Sequence, residues 1–287
     1  MLDVLSLGDY YAPINDEEGL PDLRSEVNAI CGERFRRIDR FIQLCLLGAA
    51  RCTQTVELDE STGLYIGSRF AAICNTIKVQ QQMFVNGQIP KPANFINTLS
   101  NSAGYYVARN LKLEGKNIFV SRANASLEAA LALARLDLEN GTIKQALIGV
   151  VDEGAPVQVH HCQRMGIPED TALAEGSHWF LVSLAADSKA VATIADVCVL
   201  PDEQSVRHWL GERKAQNQNT YVYSDPFKPT SLNIAELGLE QYNPSLDYYP
   251  SRTGGALMRF IKEKKQAALI TLCGDEAGRT HAIHTLV

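Results

Sequence analysis

The chain has 287 residues and a formal net charge of −6. This acidic balance argues against nucleic-acid binding as the main role, because nucleic acids attract basic surfaces. No segment approaches the roughly 18 uninterrupted apolar residues that span a bilayer, so we expect no membrane partner. Seven cysteines, an odd number at irregular spacings, favour a reducing compartment over a disulfide framework. We therefore expect a cytoplasmic protein.

The predicted elements alternate between strands and helices. They begin with a strand at 4–7, a helix at 35–52, a strand at 64–67, helices at 69–85 and 100–111, a strand at 118–121, a helix at 125–137 and a strand at 146–151. Strands at 177–184 and 191–200, a helix at 204–215, a strand at 221–223, a helix start at 254–255 and strands at 267–272 and 280–286 follow. This alternation predicts an α/β fold in which crossovers join parallel strands. No internal repeat is evident.

The run from Asn117 to Glu153 contains the most informative pattern, a strand followed by a sharp elbow and a helix. An elbow at a helix N-terminus gathers unpaired backbone N–H groups and the positive end of the helix dipole, which together stabilise a thiolate or an oxyanion. Asn124 occupies the position of a nucleophile there, but its amide nitrogen is delocalised and cannot attack a carbonyl. On local sequence alone, Asn124 is equally well an ordinary N-cap residue, and the two interpretations do not exclude each other. The helix that follows has almost no polar face, which predicts that it is buried between two sheets.

Several motifs follow one another in the order and spacing of a known family. They are residues 37–44, 64–68, 97–109, Gly115, 126–134, 146–153 and 174–176. Together they resemble the N-terminal half of a β-ketoacyl synthase, and their order makes the match more specific than any single piece. The resemblance covers about residues 40–185 and becomes thinner from about residue 215.

This resemblance implies a thiolase-like layered α/β fold, with two mixed sheets and buried helices between them. It implies an N-terminal half at 1–155 and a shortened C-terminal half at 156–287 in one compact unit. It also implies an obligate dimer that forms partly by pairing of the elbow-side strands. No cofactor is expected.

Catalytic members of the family carry a cysteine at the elbow, where this chain has Asn124. They also carry two histidines, whose positions match Ser224, within the run 223–225, and Ser251. Their gating loop corresponds to Gly274, Asp275 and Glu276. Carboxylates in that loop would oppose the negative charge that acyl transfer develops. The resemblance therefore implies a degenerate active site.

The chain is similar to the chain length factor of a bacterial type II polyketide synthase, and shortened members are similar to subunits of aryl polyene systems. Such a subunit forms a heterodimer with a catalytic ketosynthase, which an acyl carrier protein visits transiently. The growing acyl chain would occupy a tunnel along the interface. Residues expected to line it are Cys74, Ile77, Met83, Phe84 and Phe95, although apolar residues at helical spacing are more often plain core.

A second functional class remains open. The chain could be an unusual thiolase-fold acyltransferase or hydrolase that uses a serine nucleophile, with Ser121, Ser126 and Ser251 as candidates.

Three other patterns have simpler interpretations. The run from His160 to Cys162 suggests a metal site, but adjacent side chains of an extended segment face opposite ways and no second ligand pair is suitably spaced, so we expect no metal. Asp152 and Glu153 have the residue types of a paired acid and base, but the resemblance implies that they close their strand structurally, and we expect that role. The basic cluster Arg34, Arg36, Arg37 and Arg40 is either a solvated face or a docking surface for an acidic carrier protein.

Overall fold

The computed structural model describes residues 1–14, 19–154, 162–163, 166–184, 189–217, 219–227 and 232–287. The strands are β1 (Leu2–Pro13), β2 (Gly63–Gly67), β3 (Asn117–Val120), β4 (Gln145–Asp152), β5 (Ala174–Ser183), β6 (Ala192–Leu200), β7 (Thr220–Ser224), β8 (Glu240–Gln241), β9 (Ala268–Gly274) and β10 (Thr280–Leu286).

The α-helices are α1 (Arg24–Ile30), α2 (Arg40–Thr53), α3 (Ile73–Gln80), α4 (Pro92–Ile96), α5 (Ser102–Leu111), α6 (Ser126–Glu139), α7 (Glu203–Gln216) and α8 (Arg252–Glu263). A π-helical turn at Gln81–Val85 extends α3, and a 3-10 turn lies at Ile234–Leu237. Within the described ranges, no helix has the length and hydropathy needed to cross a membrane.

Over the described ranges, the sheet has ten strands in the order β3-β2-β4-β5-β1-β6-β10-β9-β7-β8. It consists of two five-stranded units with the same strand order and the same pairing directions. In the first unit, β3, β2 and β4 are parallel to one another, whereas β4–β5 and β5–β1 are antiparallel pairs. In the second unit, β8, β7 and β9 are parallel to one another, whereas β9–β10 and β10–β6 are antiparallel pairs. The units join where Leu2–Val4 pairs with Ala192–Ile194.

This repeat spans residues 2–183 and 192–286. The sequence does not show this repeat, because the two units need to share only their pattern of backbone pairing and not the identity of their side chains. The predicted division into an N-terminal half at 1–155 and a C-terminal half at 156–287 stays a prediction.

Helices α6 and α8 lie between the two five-stranded units. Helix α6 contacts β2 and β4 of the first unit and β6 and β10 of the second, while α8 contacts β1, β5 and β9. Their apolar side chains form the central core together with residues from both units. Helices α2 and α5 cover the outer face of the first unit, and α7 covers the second. The layered α/β fold, with helices between two parts of a mixed sheet, is thereby confirmed.

Three helices differ from their predictions. Helix α6 was expected to be buried all round, but Leu133 and Leu136 in its C-terminal half are 39% and 54% exposed. Apolar composition alone does not fix which side of a helix a neighbour covers. The helix predicted at 69–85 begins only at Ile73, because Ala71 has a left-handed φ of +50° and the preceding residues form a turn. The helix predicted at 35–52 is α2, which begins only at Arg40, because the Asp39 side chain caps it there.

Candidate functional site

The elbow between β3 and α6 is as sharp as the sequence predicts. Ala123 has a left-handed φ of +49°, a conformation that costs a non-glycine residue about 1 kcal/mol. The Ser126 hydroxyl accepts a hydrogen bond from the Arg122 N–H at 2.9 Å and lies 2.7 Å from the Ala123 carbonyl oxygen. A Cβ atom at Gly67 of β2 would lie 2.7 Å from the Ser126 carbonyl oxygen, so only glycine lets the helix start approach the strand this closely.

Asn124 lies at the tip of this elbow and is buried, with 5% of its surface exposed. Arg69 donates from Nη1 to the Asn124 Oδ1 at 2.5 Å, and the Asn124 Nδ2 donates to the Asp225 Oδ2 at 3.3 Å. Helix α6 has no side-chain cap, and Ala125 occupies the cap position. The interpretation of Asn124 as an N-cap is therefore wrong, because a cation and an anion hold its amide instead.

Asp225 directly follows β7 and is fully buried. Its Oδ1 accepts the Phe227 N–H at 3.0 Å, and its own N–H donates to the Leu272 carbonyl at 3.1 Å. Ser224, the last residue of β7, is only partly buried. The side chain that reaches the elbow from β7 is thus that of Asp225, while the assignment of Ser224 to a lost histidine stays a prediction. Ser251 is buried at the start of α8.

Glu128 lies in the first turn of α6 and is buried. Neither of its carboxyl oxygens has a hydrogen-bond partner in the described structure. Burial raises the pKa of Glu128 to about 8, and the charge of Asp225 acts in the same direction. The carboxyl group is therefore mostly protonated at pH 7, which limits the negative charge inside the elbow region.

Asp152 and Glu153 close the end of β4, as expected. Asp152 Oδ1 accepts from the Ser68 hydroxyl at 2.8 Å and from the Arg69 N–H at 2.9 Å, and Glu153 Oε1 accepts the Cys74 N–H at 2.7 Å. Burial raises the pKa of Asp152 to about 6 and that of Glu153 to about 8. These bonds fix the turn after β2, from which Arg69 reaches Asn124.

The candidate serine nucleophiles have no histidine base among the described contacts. The Ser121 hydroxyl donates to the Arg69 carbonyl at 3.0 Å, and the Ser126 hydroxyl lies against two backbone carbonyls. Ser251 is buried beside Asp152, whose pKa it lowers. No hydrogen bond from a histidine to any of the three serines occurs in the described structure, and an activated serine usually needs such a base.

The Asp275 side chain stabilises the turn between β9 and β10, in which Asp275 itself lies. Its carboxylate accepts the backbone N–H groups of Ala277 and Arg279 at 3.0 and 2.9 Å and the Arg279 Nε–H at 2.9 Å. Burial acts to raise its pKa, but these hydrogen bonds outweigh it and hold the pKa of Asp275 well below its usual range. Gly274 ends β9, and Glu276 follows in the turn. The role of this segment as a degenerate gate stays a prediction.

The predicted tunnel residues divide into two groups. Cys74 and Ile77 are half-buried on α3, whereas Met83, Phe84 and Phe95 are 41%, 80% and 54% exposed. The exposed three lie on the surface of the single chain, so they can line a tunnel only together with a partner.

No group of three or more His, Cys, Asp or Glu side chains in the described part of the chain is arranged to hold a metal ion. His160 and His161 lie outside the described residues.

Sequence reasoning missed Arg69 and Glu128 and did not single out Asp225. Arg69 lies two residues after β2, Asp152 ends β4 and Asp225 directly follows β7. Because β2 and β4 are neighbouring parallel strands, the carboxyl ends that carry Arg69 and Asp152 meet at one edge, and that signal was available. It does not extend to Asp225, because β7 lies in the other five-stranded unit. Glu128 was detectable as a lone acid in the first turn of an otherwise apolar helix.

A comparison with known protein families shows to which family the chain belongs. The β-ketoacyl synthase N-terminal domain matches residues 17–175, more than half of the sequence. The chain belongs to the β-ketoacyl synthase family. In this family member, an amide held between Arg69 and Asp225 occupies the elbow tip. No match was found among curated protein sequences.

Solved structures share the fold of this β-ketoacyl synthase family member at low sequence identity. The ishigamide ketosynthase/chain length factor superposes with a TM-score of 0.74 and 16% identity, covering 100% of this chain and 99% of that chain. The complex AntDE:AntF is a type II polyketide synthase acyl carrier protein with its ketosynthase. It superposes with a TM-score of 0.70 and 12% identity, covering 100% of this chain and 99% of that chain. The ketosynthase from module 6 of the bacillaene synthase of Bacillus subtilis 168 superposes with a TM-score of 0.71 and 10% identity, covering 99% of this chain and 71% of that chain. At these identities the likeness shows the fold alone.

Proposed function

We propose that this chain is a non-catalytic ketosynthase-like subunit, a chain length factor, that dimerises with a cysteine-bearing ketosynthase and shapes its acyl tunnel. Polyketide or polyene biosynthesis, including that of aryl polyenes, is the expected setting. The observation that carries the proposal is Asn124, a side chain without nucleophilic character at the elbow tip. Its oxygen and its nitrogen are both engaged, by Arg69 and Asp225, so this side chain offers no group for covalent acyl transfer.

An exposed apolar surface supports the partner role. We call it the α3–α4 apolar surface, and it consists of Met83, Phe84, Val85, Ile89, Phe95, Ile96 and Leu99. Exposed large apolar residues concentrated in one segment are typical of sites of protein association. In addition, β3 is an edge strand of the sheet, so one side of its backbone is open to pairing with a second chain. Both features fit a partner that packs on the elbow side.

A basic groove supports transient visits by an acyl carrier protein. Arg24, Arg34, Arg36 and Arg37 line a groove of about 360 Å³ beside the start of α2. An acidic protein would be steered to these guanidinium groups by long-range attraction, even though the chain as a whole is acidic. Arg40 of the same basic run does not contribute to docking, because it is paired with the buried Glu175.

Covalent labelling tests the proposal. The chain, co-expressed with a ketosynthase that retains its cysteine and histidines, is treated with a chloroacetyl carrier probe and an acyl-phosphonate, and the labelled residues are mapped by mass spectrometry. We expect labelling of the partner's cysteine and none on this chain. A complex in which that cysteine is replaced by alanine serves as the control. Labelling of Ser121, Ser126 or Ser251 would instead support the serine-dependent enzyme.

A further inference from the structure

A cavity of about 400 Å³ lies on the second five-stranded unit, where the C-terminal end of α7 meets β6 and β10. We call it the α7-end cavity. Its polar lining consists of Asp196 from β6, Arg213 and Gln216 from α7, Asn217 just after α7, and His284 from β10. Its volume falls in the range of small-molecule sites, and it shares no lining residue with the basic groove near α2.

His284 brings a buried and unpaired nitrogen to this cavity. The residue is 4% exposed, and its Nε2 has no hydrogen-bond partner in the described structure. Burial lowers the pKa of His284 below its ordinary value of 6.5, and the charge of Arg213 acts in the same direction. The imidazole is therefore mostly neutral at pH 7, with one nitrogen that donates and one that accepts. A buried polar atom without a partner is costly, so a ligand that pairs with it gains affinity.

The charges in the lining compensate each other. Arg213 donates from Nη2 to the Asp196 Oδ2 at 3.0 Å. Each of the two also has an ion-pair partner outside the lining, Glu212 for Arg213 and Arg135 for Asp196. A charged ligand would lose its hydration in the cavity without finding a free counter-charge, and that loss is unfavourable. The lining therefore favours an uncharged ligand.

The end of α7 adds groups that are free to hydrogen-bond. The Gln216 side chain has no hydrogen bond in the described structure, and Asn217 uses only its Oδ1, which accepts the Asn219 N–H at 3.0 Å. Helix α7 ends at Gln216, and the carbonyl groups of a last helical turn lack partners within the helix. The apolar part of the lining consists of Met1, Ala195 and Leu286. The cavity thus combines hydrogen-bond donors and acceptors with an apolar wall.

We propose that the α7-end cavity binds a small uncharged carboxamide that carries an apolar body. The amide group pairs with His284 and with the side chains of Gln216 and Asn217, and the apolar body lies against Leu286. An amide both donates and accepts, so it can pair with the imidazole in either tautomer. Binding is non-covalent. The site does not depend on the elbow or on the proposed lack of catalysis, so it can hold whether or not the chain supports a ketosynthase.

An NMR titration at pH 7.5 tests the site with three probes: benzamide, benzoate and acetamide. Benzoate has the same ring as benzamide but a charge, and acetamide has the amide without the apolar body. The 287-residue chain is used without an N-terminal tag, because Met1 lines the cavity. We expect saturable benzamide binding that is about tenfold tighter than that of either other probe, together with a shift of the His284 imidazole nitrogen resonances.

Two variants locate the binding. His284→Phe keeps an aromatic ring and removes both nitrogens, so it should weaken benzamide binding about tenfold. Gln216→Ala, at an exposed position, should weaken it about threefold. The matched controls are His208→Phe, at an exposed histidine of α7, and Gln54→Ala, at an exposed glutamine that follows α2. Both controls should leave the affinity unchanged.

Three results would overturn the inference. They are the absence of saturable benzamide binding, equally tight binding of benzoate or acetamide, and unchanged affinity in a folded His284→Phe or Gln216→Ala chain. Circular dichroism of each variant establishes that it is folded before the titration is interpreted, and Gln216→Ala decides the matter if His284→Phe does not fold. Covalent labelling of the chain at a serine would contradict the proposed function and leave this inference intact, so the two can fail separately.

Discussion

Asn124 connects a partly buried cation to a buried anion. Because it bridges Arg69 and Asp225, an apolar replacement leaves both groups without that partner. We expect Asn124→Leu to lower the free energy of unfolding by roughly 1–3 kcal/mol, the usual cost of an unsatisfied buried polar group. Urea denaturation measures this change. The matched control is Asn86→Leu at an exposed position, and a loss as small as that of the control would mean that the bridge is not structural.

Glu128 makes stability depend on pH. Its pKa is raised to about 8 in the folded chain, whereas an unfolded glutamate has a pKa near 4.5. Between these values the folded state holds a proton that the unfolded state has lost, so the free energy of unfolding falls as pH rises from about 5 to 8. The slope is at most about 1.4 kcal/mol per pH unit for one such group, and Glu153 acts in the same direction.

We expect Glu128→Gln to flatten this fall, because glutamine has no proton to lose. The measurement is urea unfolding at pH 5, 6, 7 and 8 for the native chain, Glu128→Gln and the exposed control Glu57→Gln. If the slope of Glu128→Gln matches that of the control, the glutamate is ionised in the folded chain and its assignment as a neutral acid is wrong.

Local sequence predicts the elbow and the residue at its tip, because the strand, the turn and the helix signals lie within a few residues of each other. It does not predict what holds Asn124. Arg69 and Asp225 are separated from it by 55 and 101 residues, and only the packing of β2, β3 and β7 brings them together.

At the scale of elements, the segment from the π-helical turn to α4 presents apolar side chains outward. Phe84 and Ile89 are 80% and 97% exposed, so replacing them alters few contacts within the chain. We expect Phe84→Asp/Ile89→Asp to abolish co-purification with a co-expressed ketosynthase while the melting temperature of the isolated chain stays within a few degrees. A charge on this surface would be buried without a partner in the complex.

Val199→Asp is the matched control for this double variant, because Val199 is 51% exposed on β6, away from the α3–α4 apolar surface. It should co-purify with the ketosynthase as the native chain does. Retention of the partner by Phe84→Asp/Ile89→Asp would show that this surface is not the interface.

The strands and the central helix could be predicted because their patterns are strong and local. The helix predicted at 69–85 was wrong at its start, because Asp152 accepts hydrogen bonds from Ser68 and Arg69 and holds these residues in a turn. That contact joins residues more than 80 positions apart, so helix propensity alone could not reveal it.

At the scale of the whole molecule, side chains join the two five-stranded units. His178 of β5 lies 2.7 Å from the Asp9 carboxylate of β1 and 2.8 Å from the hydroxyl of Tyr249 in the second half. Lys262 of α8 pairs with the same Asp9 at 2.9 Å. With the shared core around α6 and α8, these contacts imply that the units unfold together.

The two tryptophans of the chain test this coupling, since Trp179 lies in the first unit and Trp209 on α7 beside the second. We expect the fluorescence transitions of Trp209→Phe and Trp179→Phe each to coincide with the far-ultraviolet circular dichroism transition of the same variant in urea. A fluorescence transition that separates from the circular dichroism transition would instead indicate two independent folding units.

Carbon–carbon bond formation by the purified chain is the most direct measurement of the central claim. The chain alone, a cysteine-bearing ketosynthase alone and the two together are each incubated with an acyl primer and a malonyl-loaded carrier protein, and the products are followed by mass spectrometry. We expect no elongation by the chain alone and longer products when the chain joins the ketosynthase. Elongation by the chain without a partner would contradict it.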